Sequence, residues 1–231
     1  MRAPRYPASV NKRDLVGKLA VSEPLEALEI ARSISGPWYR CQALAQVAWN
    51  LEDGKLFKKV IEEALAAAYE QTEPNRVVSV ASWAVRAMVK KNDRRLRAVV
   101  EELLQKIQLE SNPVRQADAL LLLFEAVFYE PSLRDVVLDA LLRACEQMNS
   151  WKRPYILSDV ARVFAIDDLN RAAQIIELIG EGRWSRKTRR EIAARQWLGP
   201  HEFFPHYAKR RLISTAPNGK AGEGSGLDPN G

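Results

Sequence analysis

The sequence predicts an all-α protein, an α-solenoid of about five antiparallel helical hairpins, and three observations carry that prediction. The first is a recurring stretch, best seen as Pro113-Val114-Arg115-Gln116-Ala117-Asp118-Ala119-Leu120. Taking Arg115 as its anchor, the equivalent arginines are Arg40, Arg76, Arg153 and Arg186, at successive spacings of 36, 39, 38 and 33 residues. Trp or Pro stands two positions before each of them (Trp38, Pro74, Pro113, Trp151 and Trp184), where a bulky or helix-entering residue suits the turn between two helices. The second is apolar spacing of 3 and 4 residues on both sides of each arginine. The third is the set of short polar connectors between units, such as Glu52-Asp53-Gly54, Lys91-Asn92-Asp93 and Asp167-Asp168. A repeat of this length with two helices per unit is the pattern of a stack in which each unit contacts mainly its neighbours.

Taken in order, Met1 to Val10 carries prolines and arginines and is expected to be an irregular arm, after which Asn11 caps a short helix to about Ala20. Residues 1–21 are thus an N-terminal arm and capping helix. Ser22-Glu23-Pro24 supplies an N-cap and an early proline for the first long helix, which carries Leu25, Leu28, Ile30, Ala31 and Ile34 and ends at Ser35-Gly36-Pro37. The leading helix of each hairpin repeats that stripe: Leu25, Ile61, Val100 and Leu138 lie fifteen residues before the anchors, and Leu28, Ala64, Leu103 and Leu141 lie twelve before. The second helices bury Leu44, Val47, Ala48 and Leu51; then Val80, Trp83, Ala84 and Ala87; then Ala119, Leu122, Leu123 and Ala126; then Leu157, Val160, Ala161 and Phe164. The fifth unit puts Arg189 and Arg190 where the others are apolar, as a terminal, water-facing repeat requires. The hairpins therefore span 22–198. A basic capping segment, 199–213, lays Phe203, Phe204 and Tyr207 against the end of the stack, and 214–231, rich in Gly, Pro, Ser and Asn, is a disordered tail.

With 47% apolar residues in 231, the chain can bury a full core. It lacks an apolar run of the ~18 residues that would span a bilayer, and prolines occupy the start where a signal peptide needs an apolar stretch, so no membrane role and a cytoplasmic location are expected. Cys41 and Cys145, far apart on different repeats, are expected to be reduced packing residues. Charge is unevenly placed. Residues 1–18 hold five basic and one acidic side chain, 19–182 hold twenty and twenty-four, and 183–211 hold nine and two.

Enzyme constellations are thin. His201 and His206 are the only histidines, their spacing does not place both on one helical face, and no further His or Cys lies near them, so no metal or other cofactor is expected. No phosphate-cradling glycine loop or Gly-x-Ser-x-Gly elbow occurs. Asp159, one turn from Tyr155 and three residues before Arg162, is the nearest approach to an acid beside an aromatic in a basic cleft. The recurrent arginines Arg40, Arg76, Arg115, Arg153 and Arg186 share a helical face with core positions, so they are expected to form an inward-pointing structural ladder that reaches the carbonyls ending the preceding helix. Arg183, Trp184, Arg186, Lys187, Arg189, Arg190 and Arg195 form a basic, Trp-containing patch of the kind that contacts phosphates and stacks on bases.

The Asn112-Pro113-Val114-Arg115 turn and the alanines and leucines after it resemble the HEAT repeat, whose turn is Asp-Pro-x-Val-Arg before an Ala/Leu-rich second helix. Over residues 22–198 the resemblance implies a right-handed superhelix with the second helices on its concave side. It also implies a scaffold or binding module, a few similar folds being DNA glycosylases or pigment lyases. The second helix of the third unit is apolar all round, which requires a cover for its outer face. Trp49, Val85, Leu121, Phe124 and Phe128, bordered by Tyr155, Asp159 and Arg162, are therefore expected to form a groove for a partner helix or a second copy of the chain. The leading expectation is a non-catalytic scaffold that binds a protein partner or itself. The alternative is a nucleic-acid module working through the basic C-terminal cap, and an enzyme of the HEAT-like fold comes third.

Overall fold

The computed structural model describes residues 7–196, 198–201 and 203–204, and all regular structure among them is helical. The helices are α1 (Pro7–Leu19), α2 (Pro24–Arg32), α3 (Pro37–Asn50), α4 (Gly54–Tyr69), α5 (Pro74–Lys90), α6 (Leu96–Ile107), α7 (Pro113–Ala126), α8 (Pro131–Glu146), α9 (Lys152–Phe164), α10 (Leu169–Ile179) and α11 (Arg183–Ala193). Proline opens α2, α3, α5, α7 and α8, where its missing N–H removes a donor that the first turn could not satisfy. Asp53 caps α4 by accepting from the N–H groups of Lys55 (2.7 Å) and Leu56 (3.0 Å), and Asn112 caps α7 through Val114 (2.9 Å) and Arg115 (3.2 Å).

Two starts differ from the sequence expectation. The first helix begins at Pro7 rather than Asn11, because a proline in the first turn starts a helix as readily as it ends one. At α2 the N-cap is Glu23, which makes no side-chain cap bond, and Ser22 is not the cap. The stripe of α2 is shifted as well: Ala27, Leu28 and Ala31 are buried, whereas Leu25 is 64% exposed.

The odd-numbered helices pack in succession, α1 on α3, α3 on α5, α5 on α7, α7 on α9 and α9 on α11, while each even-numbered helix packs on the odd helices that flank it. An odd helix therefore has a neighbour on each side and another layer behind it. Alanines at Ala43, Ala45, Ala48, Ala81, Ala84, Ala87, Ala117, Ala119 and Ala126, all fully buried, let these backbones approach closely. The even helices, covered on one face only, keep the amphipathic pattern; the odd ones are buried over most of their circumference, which explains why α7 is largely apolar outside the stripe of Arg115, Asp118 and Glu125. One continuous core runs from Val16 to Phe203. Cys41 and Cys145 are buried free thiols inside it, and burial raises both, Cys145 to about 12. Among the described residues no helix is long and apolar enough to cross a membrane.

Candidate functional site: the shared face of the odd helices

The odd helices share one face, whose register is set by their first helical residues and whose ends are covered, by α1 over Gln42 and Gln46 and by α11 over Asp159 and Arg162. Counted from Pro37, Pro74 and Pro113, steps of 2, 5, 9 and 12 residues select Tyr39, Gln42, Gln46 and Trp49 on α3, Arg76, Ser79, Trp83 and Arg86 on α5, and Arg115, Asp118, Leu122 and Glu125 on α7. A further turn adds Lys90 and Tyr129. Increments of 3 and 4 keep these side chains on a single stripe. Lys152, Tyr155, Asp159, Arg162 and Ile166 continue it on and just beyond α9.

The stripes are joined from helix to helix. Lys152 Nζ lies 2.7 Å from Asp118 Oδ2, linking α9 to α7. The Arg86 guanidinium lies 4.7 Å from the Tyr129 ring centre and 5.7 Å from that of Trp49. Lys90 Nζ sits 4.4 Å from the Trp49 ring centre and donates to the Trp49 carbonyl at 2.9 Å. Burial lowers the pKa of both cations, Arg86 being half-buried and Lys90 remaining solvent-exposed over the Trp49 ring.

Across this face lie the chain's own residues 198–201 and 203–204. Phe204 packs on Trp49 with ring centres 5.0 Å apart, and Trp83 receives the edges of Phe203 (5.3 Å) and Phe204 (5.5 Å). The Gly199 N–H donates to the Arg162 carbonyl at 3.0 Å. Gly199 has φ 81°, and a Cβ there would meet Ile166 Cδ1 at 3.0 Å, so both backbone conformation and space require glycine. The His201 N–H donates to Glu125 Oε2 at 3.2 Å, and His201 Nδ1 meets the same oxygen. The Glu125 side chain has no exposed surface, and a carboxylate so placed needs such partners. A cavity of about 390 Å³ remains between the segment and Trp49, Arg86, Tyr129 and Ile166.

The sequence-predicted groove is displaced by one residue on two helices. Val85, Leu121, Phe124 and Phe128 are buried within the stack, Phe124 packing on Phe128 (6.0 Å) and Phe164 (5.5 Å), and the face carries their successors Arg86, Leu122, Glu125 and Tyr129. The physical reason is that the arginine follows the first helical residue by three positions in α3 but by two in α5 and α7, so numbering from the arginine rotates the helices by about 100° relative to one another. Trp49, Tyr155, Asp159 and Arg162 do lie on the face. Asp159 and Arg162 are buried against α11: Arg162 donates to Asp159 and, from Nη2, to Glu191 at 2.7 Å, while Thr188 donates to Ser158 at 2.8 Å. Asp159 is thus held in an ion pair at the α9–α11 contact and not presented as an acid beside an open cleft.

No family model, curated protein or solved structure matches the chain.

The recurrent arginines do not form an inward ladder. Arg40 donates to the Ile34 carbonyl at 3.1 Å and pairs with Glu70, but Arg76, Arg115 and Arg186 are exposed and Arg153 is half-buried. Near the carbonyls that end α6, Gln116 takes the expected role, donating to Ile107 at 3.3 Å and Glu110 at 2.5 Å. In the basic patch, Arg189 pairs with Glu177 (2.8 Å) and Glu181 (3.5 Å), and Lys187 with Glu191 (3.7 Å). Arg183, Arg186, Arg190 and Arg195 are exposed, and Trp184 meets Tyr155 edge-on at 5.9 Å. Among the described residues no group of three His, Cys, Asp or Glu is placed to hold a metal ion. Phe203 and Phe204 lie on the middle of the face, on α3 and α5, rather than against the end of the stack. Trp197, Tyr207, the residues before Pro7 and the tail from 205 onward lie outside the described residues.

Proposed function

We propose that the chain is a non-catalytic α-solenoid of five hairpins, HEAT-like in its right-handed superhelix, whose odd-helix face is a docking site for an extended protein segment bearing adjacent aromatic side chains. The observation that carries this reading is the face's present occupant. Residues 198–201 and 203–204 are held there by ring contacts to Trp49 and Trp83 and by two backbone donors, to Arg162 and Glu125. These are the elements of peptide recognition: aromatic anchors in a site with a few placed polar groups. A segment of the same chemistry from a partner, or from a second copy of the chain, would meet the same anchors.

The test uses the Phe203→Ala, Phe204→Ala double variant and a free peptide of sequence Leu-Gly-Pro-His-Glu-Phe-Phe, followed by the fluorescence of the face tryptophans. The variant is expected to stay helical and to bind the peptide. The unaltered chain should bind it at least ~100-fold more weakly, because its own segment competes at a millimolar effective concentration. Equal, negligible binding by both proteins, or collapse of the helical signal in the variant, would sink the proposal.

A further inference from the structure

A second surface lies at the edge formed by the first turns of the odd helices, away from the segment-covered part of the face. Arg76, Arg115, Arg153 and Arg186 stand there, one on each of four successive odd helices, and among the described residues none pairs with a carboxylate. Other arginines do pair: Arg32 with Glu63 at 2.9 Å, Arg95 with Glu62 at 2.7 Å and Arg97 with Glu101 at 3.9 Å. A cation in the first turn of a helix is disfavoured by the helix dipole, and among the described residues no carboxylate offsets these four charges. Neighbouring packed helices are about 8–10 Å apart, so the four spread over roughly 24–30 Å of this edge, Arg153 and Arg186 standing one and three residues into their helices and thus turned from the line of Arg76 and Arg115.

Aromatic side chains lie at the same edge. Trp151, which precedes α9, is 69% exposed, and Trp184, in the first turn of α11, is half-buried against Tyr155. At the α3–α5 end the Arg76 guanidinium lies 5.5 Å from the Trp38 ring centre, at the wall of a cleft of about 540 Å³ that Asn75 also lines. The cleft, which Glu70 also lines, is large enough for a nucleobase.

We infer that this edge binds single-stranded nucleic acid, the arginines taking successive backbone phosphates and Trp38, Trp151 and Trp184 stacking on unpaired bases. Single strands rather than duplex fit, because the aromatic faces are usable only by bases already out of a helical stack. An acidic protein segment would use the arginines but leave the tryptophans and the Asn75 cleft without a role.

The experiment is fluorescence anisotropy of a labelled mixed-sequence 20-nucleotide DNA strand with the full-length chain at 50 to 200 mM NaCl. Four phosphate contacts predict that log affinity falls with log salt with a slope of about −3. Arg115→Gln with Arg153→Gln should make the slope shallower by about 1.4, and Trp151→Ala should weaken binding about tenfold without changing the slope. Arg32→Gln with Arg97→Gln, on the even helices, should change neither. No binding at 50 mM NaCl overturns the inference, as does an unchanged slope in the Arg115/Arg153 variant, which would move the contacts elsewhere on the chain. Polyglutamate binding as tightly as DNA, with no effect of Trp151→Ala, would replace it with an acidic protein partner. The docking reading of the covered face stands or falls separately, since its peptide test uses neither the arginines nor salt.

Discussion

At the scale of single residues, the α5–α6 connection shows how one buried carboxylate can hold a turn. Asn92 takes φ 50°, a left-handed conformation that asparagine tolerates, and sends the chain back toward α4. Asp93 follows, its side chain 3% exposed, accepting from the Arg95 N–H at 3.0 Å and from Arg95 Nη2 at 2.7 Å, while the same arginine reaches Glu62 on α4. Burial alone would raise the Asp93 pKa, but the hydrogen bonds and charge of Arg95, with help from Lys58, outweigh it and hold the carboxyl below its ordinary value. A depressed folded-state pKa means that the ionised form stabilises the fold above the unfolded value of about 3.9, and that this contribution is lost as pH falls through the folded value. Asp93→Asn is therefore expected to cost about 1–3 kcal/mol at pH 7. The difference from the unaltered chain should shrink below about pH 4. Urea titrations at pH 7 and pH 3 check this, and an undiminished difference at pH 3 would show that the loss is one of packing.

Among the elements, α11 is the most dependent on polar contacts. Its exposed faces carry Arg183, Arg186, Arg189 and Arg190, its buried side chains are Ser185 and Thr188, and it is tied to α9 by Arg162, Glu191, Ser158 and Thr188. The Arg162 side chain is 7% exposed between Asp159 and Glu191, so its removal would leave two buried carboxylates facing each other. Truncating one member of such a cluster typically costs about 3–5 kcal/mol, well above the value of a surface pair. Arg162→Ala should therefore release α11 selectively. Hydrogen exchange should rise over residues 183–193 with little change in α3 or α5, because a stacked array opens from its ends. Uniform acceleration along the chain would show that α11 is coupled to the whole stack.

For the whole molecule the decisive quantity is how much apolar surface the odd layer hides. Phe124 is fully buried and Leu121 is 8% exposed, both inside a layer flanked by helices on two sides. Losing a buried phenylalanine alone costs about 3–5 kcal/mol, and placing two carboxylates in the same volume adds desolvation of several kcal/mol more. Total stabilities of domains are about 5–15 kcal/mol, so Leu121→Asp with Phe124→Asp is expected to abolish cooperative folding. Circular dichroism decides the matter: a fully helical double variant with a normal melting transition would place these two side chains on an open surface after all.

The sequence by itself determined that the chain is helical and where most of its helices lie, because the relevant signals are local; it did not determine their pairing, since α6 and α7, and α8 and α9, joined at the arginine turns, touch far less than α7 and α8 or α9 and α10 do. Proline at first turns, Asp53 and Asn112 as caps, and apolar steps of 3 and 4 residues act within a few residues of one another. It also held most of the core, from Leu44 to Phe164. Tertiary structure decided which stripe of α7 turns outward. That stripe carries Arg115, Asp118 and Glu125, but Leu122, expected in the core, interrupts it and is half-buried, and a shift of one residue exchanges Phe124 for Glu125. The placement of residues 198–201 and 203–204 was equally hidden, since their partners Trp49, Trp83, Glu125 and Arg162 come from four helices and share no sequence spacing with them. The exposure of the recurrent arginines follows from the same cause: whether a first-turn cation points inward depends on the neighbouring hairpin, which lies far along the chain and close in space.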